Sequence, residues 1–196
     1  MCCDTRPVDA EDPVPAQVLL VGARAAVLSK LADALRQSGV RAVIARDVSG
    51  MSAAELRGFG AVAFGRAVGQ AERESVQAAF EQAGADVVRV DGLAPVIPVL
   101  VAQVQQALDR GGRSGRQLTG LHAADGAVTV EVGVPCRVRL TAHRIDRLYR
   151  THTRELLDAE LETGLHRQEL DRKTARGRSF VVARSSETVL VRPVPR

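Results

Sequence analysis

The 196-residue chain is 45% hydrophobic and 26% charged with a formal net charge of +4, a balance that supports a folded core without disulfide staples. Aromatic residues make up only 3%, with one Tyr and no Trp, which argues against a base-stacking platform for single-stranded nucleic acid and against an aromatic-floored carbohydrate site. Three cysteines cannot complete a set of internal disulfides and point to a reducing compartment.

Residues 1–15 read as a disordered tail, because Pro7, Pro13 and Pro15 among clustered acids leave little to bury. The tail shows no apolar signal-peptide core, so a cytoplasmic location is expected. Cys2 and Cys3 have no second ligand pair at metal-site spacing and read as exposed thiols. An α/β domain is expected over 16–110. It opens on "VLLVG", a continuous apolar run suited to a strand covered on both faces. Leu28, Leu31 and Leu35 then recur at helical spacing, with Gly39 closing the helix. "VRAVIA" gives a second strand and "SGMSAAELRGFG" a short helix, in which Ser52 and Glu55 stand at capping-box spacing. "FGAVAFG", "QAERESVQAAFEQAG", "ADVVRVDG" and "PVIPVLVAQVQQALDR" follow as strand, helix, strand and helix. Ile97, Leu100, Val101, Val104 and Leu108 mark one face of the last helix, whose prolines are tolerable only at its start.

This alternation implies a parallel sheet with right-handed crossovers and a ligand crevice at the carboxyl ends of its strands. The loops at that edge offer Gly22, Arg24, Ser49, Arg66 and Asp91 as candidate ligand-binding residues. If the first and third strands are neighbours, Arg24 and Arg66 sit on adjacent loops and can clamp a small anion. The domain resembles receiver-like and flavodoxin-like (Rossmann-like) α/β domains over Val18 to Asp109. "GARAA" (22–26) and "GRAVG" (65–69) stand where an active receiver carries its acidic pair and its phospho-acceptor Asp, and neither holds a carboxylate. The resemblance therefore implies a degenerate receiver without a Mg²⁺ site. "GARAAV" also lacks two glycines of a dinucleotide-binding turn.

Residues 111–125 read as a Gly- and Arg-rich linker, and 126–196 as a small β-sandwich. Cys136, Val138, Leu140 and Ala142 alternate with Arg137, Arg139, Thr141 and His143. Residues 150–162 permit a helix, although strands joined by a turn fit their neighbours better; "RSFVVARSSETVLVRPV" reads as a hairpin about Ser185-Ser186. The segment 137–194, with "LETGLHRQELD", "GRSFVVARSSETVLVRPV" and Phe180, resembles the Ig-like domain of flagellar hook-capping and secretion-sorting proteins. That resemblance implies an assembly module with no catalytic residues to carry over. The fold class expected is thus α/β plus all-β: a three-layer parallel-sheet domain followed by an Ig-like sandwich.

Charge is uneven. Residues 1–116 hold 13 basic and 13 acidic residues, whereas 117–196 hold 14 and 10. Arg137, Arg139, Arg184 and Arg192 form a candidate patch for an anionic partner, but Ala, Val and Arg-for-Lys usage together read as composition bias, which weighs against nucleic acid. Cys136 and His143 lie on opposite faces of one strand and cannot pair as nucleophile and base. His122, His152 and His166 lack metal-ligand spacing, and no hydrolase, zinc-protease or phosphate-loop motif is present. No cofactor, metal or membrane span is expected. The sequence points to a non-catalytic protein that binds a protein partner or self-assembles, with a small-anion or nucleotide sensor as the alternative.

Overall fold

The structure is a computed structural model that describes residues 17–92, 96–109, 116–148, 150–176 and 178–195. The tail, with Cys2 and Cys3, lies outside them, as do Pro95 and most of the glycine-rich stretch after residue 109.

Strands β1 (Gln17–Val21), β2 (Arg41–Ala45), β3 (Ala61–Phe64) and β4 (Val88–Asp91) form an all-parallel sheet in the order β2-β1-β3-β4. Its helices are α1 (Ala25–Gln37), α2 (Ala53–Arg57), α3 (Gln70–Gln82) and α4 (Ile97–Leu108). β1 is buried on both faces, which is why its sequence is apolar without alternation. Val18 and Leu20 pack with α1 and α4, whereas Leu19 and Val21 pack with α2 and α3. The short α2 holds its start through a reciprocal cap: Ser52 Oγ accepts from Glu55 N, and Glu55 Oε2 accepts from Ser52 N at 2.7 Å.

The second unit is antiparallel. β5 (Leu118–Ala124), β6 (Ala127–Val132) and β9 (Gly164–Glu169) form one sheet. β11 (Val189–Pro193), β10 (Arg178–Arg184), β7 (Cys136–Ile145) and β8 (Thr151–Leu161) form the other. Their inner faces bury Leu121, Val128, Val130, Val138, Leu140 and Val181, and α5 (Arg172–Arg176) lies between β9 and β10.

Three expectations change. The stretch 118–124, read as linker, is β5. It turns into β6 through Asp125 and Gly126, whose φ angles of +50° and +70° are those of a two-residue hairpin loop with both residues left-handed. Residues 151–161 form one long strand rather than a helix or strands with a turn. Leu140 faces Leu157 while Thr141 faces Glu155, so Leu156 is the extra residue of a β-bulge. The bulge lets consecutive Leu156 and Leu157 both pack on the sandwich core, which defeats a period-two reading.

The third change concerns α4. One face carries the expected stripe, with Ile97, Leu100, Val101, Val104 and Leu108 against the parallel sheet. The other buries Val99 and Ala102, both 0% exposed, against Ile145, Phe180, Val182 and Val191 of the antiparallel unit. Polar contacts complete this joint. Arg184 Nη1 donates to Gln105 Oε1 (2.7 Å), and Val191 N donates to Gln106 Oε1 (2.8 Å). Helix α4 is therefore core to both units. Among the described residues no helix is long and apolar enough to cross a membrane.

Candidate functional site

In the order β2-β1-β3-β4 the chain leaves β1 toward one side of the sheet and returns through β3 to the other. The reversal lies between β1 and β3, at the place where open α/β sheets bind ligands. Gly22 and Gly65 end these strands. Gly65 N donates to Val21 O at 2.8 Å, and a Cβ on Gly22 would stand 3.6 Å from Gly65 Cα, in ordinary contact, so the two strand ends lie side by side.

A cleft of about 620 Å³ opens here between α1 and α4, a size usual for small-molecule sites. Leu20, Ala63 and Val90 floor it; Leu28 and Leu31 wall it from α1, and Leu100 and Val104 from α4. Arg24 and Arg66 both line it and are exposed, and their guanidinium groups make no hydrogen bond or ion pair among the described residues. Arg24 is also the N-cap residue of α1 and supplies no side-chain cap. The start of α1, with its partial positive charge, therefore stands at the same mouth. The described lining holds no carboxylate, thiol or imidazole.

Gly22, Arg24 and Arg66 are thus brought together, and Ser49 and Asp91 are not. Ser49 donates through N and Oγ to Asp47 Oδ1 and lines a separate groove of about 450 Å³ by α2 and α3. Those bonds hold the Asp47 carboxyl below the usual carboxylate range. Asp91 belongs to an arginine clasp on the α3 side. Arg73 Nη1 donates to it, and Arg89 Nε donates to it at 3.1 Å. Both guanidinium groups stack on the Phe64 ring, at 5.4 and 5.5 Å. Arg73 also donates to Gly65 O and Val68 O, tying the end of β3 to α3.

The four arginines of the candidate anionic patch separate. Strand register puts Arg137, Arg139 and Arg184 on one face of their sheet, whereas Arg192 pairs with Val181 on the other. Asp158 accepts from Arg137 at 2.7 Å and from Arg139 at 2.9 Å, and these bonds lower its pKa. Arg184 is taken up by Gln105 in the α4 joint. Cys136 lies in the sandwich core, where burial, and then Glu160 and Glu187, push its thiol up. His143 is 5% exposed, with Nδ1 3.1 Å from Thr153 Oγ1. Burial first, and the nearby Arg184 second, lower its pKa. Among the described residues no cluster of three or more His, Cys, Asp or Glu is placed to hold a metal ion.

The apolar walls of the cleft are what sequence reasoning missed. Their residues carry the helical stripes that also mark core, and only the gap left between α1 and α4 separates the two roles. No protein-family model and no curated protein matches the chain.

Proposed function

We propose that the chain is a binding protein whose parallel-sheet unit holds a small anion in the switch-point cleft, and whose antiparallel unit is joined to that site through α4. The observation that carries this reading is the conjunction of two unpartnered guanidiniums, Arg24 and Arg66, with a cleft at the strand-order reversal. The charge of the arginines attracts an anion, and the start of α1 adds to that field. The reading includes no chemical step. A thermal-shift screen of the full chain against small organic and inorganic anions tests it. A ligand at one hundred times its Kd adds about 2.7 kcal/mol of stability, and Arg66→Ala abolishes that shift. Anions that leave the melting temperature unmoved, or shift Arg66→Ala equally, refute the reading.

A second reading, assembly through the antiparallel unit, is favoured by β8. It is an eleven-residue strand at the edge of its sheet, where main-chain groups are available to another chain. The Ig-like assignment draws support from strand order. Counted within the unit, the sheets run 1-2-5 and 7-6-3-4, which differs from the immunoglobulin constant-type arrangement only in the sheet that strand 4 joins. Sedimentation of the full chain over a wide concentration range tests self-assembly; a monomer throughout counts against it.

A further inference from the structure

The cleft's lining discriminates among anions. Resting on the binding reading above, we propose that its ligand is an organic anion with an aliphatic or aromatic body and a single carboxylate or phosphate head, not a nucleotide. The head lies at the mouth between Arg24 and Arg66, and the body lies on Leu20, Ala63 and Val90 between Leu28 and Leu100.

Three observations carry this. Apart from the two guanidiniums, no described lining side chain can donate or accept a hydrogen bond. The main chain of Gly65, at the floor's edge, is also committed. Gly65 N donates to Val21 O, while Gly65 O accepts from Val68 N (3.1 Å) and from Arg73 Nη2 (3.2 Å). A base and ribose entering here would give up water and leave their polar groups unmatched, and each such group weakens binding by roughly fivefold or more. An alkyl or aryl body has no such groups to strand. Finally, the acid nearest the strand ends, Asp91, lies on the far face and is neutralised by Arg73 and Arg89, so it does not compete for Arg24 or Arg66.

The chain has no Trp, so Val27→Trp, at a 43% exposed position on the cleft, supplies a fluorescent reporter without disturbing the core. Titrations use straight-chain carboxylates from butanoate to decanoate, all below micelle formation, with decyl phosphate, decanol, inorganic phosphate and AMP alongside. The expected result is a Kd that tightens about fourfold per added methylene. Arg24→Ala with Arg66→Ala weakens decanoate at least tenfold and leaves decanol unchanged. The relative affinities of decanoate and decyl phosphate distinguish a carboxylate head from a phosphate one. Calorimetry on the unmodified chain repeats the decanoate and AMP titrations without the reporter. AMP or inorganic phosphate binding more tightly than decanoate overturns this inference but leaves the anion-binding reading standing. Decanol matching decanoate overturns the anionic head. No binding by any of the probes overturns both.

Discussion

Asp171 accepts four hydrogen bonds in the antiparallel unit, and its removal has a calculable signature. It stands immediately before α5. Oδ1 accepts from Lys173 N (2.9 Å) and Thr174 N (3.0 Å), and Oδ2 accepts from Thr174 Oγ1 (2.7 Å) and Arg154 Nη1 (3.0 Å). The Thr174 hydroxyl and N–H dominate in lowering its pKa from 3.8 to about 2. Taken at full strength, that fall is worth about 2.4 kcal/mol. The side chain is 32% exposed, so solvent screening reduces the figure to about 1–2 kcal/mol, which is also the range for losing a helix N-cap. The folded pKa lies below the unfolded one. The stabilisation is therefore complete above the unfolded value of 3.8 and disappears as pH falls toward about 2. Urea unfolding of the native chain, Asp171→Ala and Asp171→Asn across this range is the assay. Asp171→Ala should lose about 1–2 kcal/mol near neutral pH, and its deficit should shrink as the pH drops below about 4. Asp171→Asn keeps a capping acceptor, so its deficit should be smaller. A deficit for the alanine variant that is the same at pH 5 and pH 2.5 would refute the reasoning.

Three further outcomes are expected. His143 is held neutral by burial and by Arg184, so its folded pKa lies below 6.5; stability should decline as pH falls from that value, by at most about 1.4 kcal/mol per pH unit for one proton. His143→Gln should flatten the decline in urea midpoint between pH 7.5 and 5.5, and an unchanged slope would assign it to other groups. Val99→Ala, at a fully buried position in the α4 joint, should cost about 1.5–3 kcal/mol while calorimetry still records one transition; two transitions in the native chain would mean that the units melt independently. Gly126→Ala, at φ +70°, should cost about 1 kcal/mol by chemical denaturation, and a neutral result would mean that the hairpin loop changes turn type.

What the sequence disclosed follows from how local each signal is. Four strands and four helices of the parallel unit were legible because each carries its own period and its own stop. The Ser52–Glu55 cap needed only three residues of spacing. β8 was not legible, since its bulge at Leu156 breaks the alternation that identifies a strand. β5 was hidden by the glycines before it, although the Asp125-Gly126 pair is a hairpin signal that locates it. At the candidate site, the sequence placed Arg24 and Arg66 on adjacent loops only on the condition that the first and third strands are neighbours, a condition the strand order meets. Separating Ser49 and Asp91 from them required knowing which face of the sheet each loop crosses, and the arginine clasp on Asp91 is a tertiary arrangement with no sequence pattern.

The doubly apolar α4 sets a limit on how this protein can be divided or recombined. A fragment cut after residue 110 would bear Val99 and Ala102 as a bare greasy ridge, and one begun there would leave Phe180 and Val191 uncapped. Grafting either half onto another scaffold succeeds only if the helix travels with it. A shape change at Leu100 or Val104 on one side of that rod has the seat of the other half directly behind it.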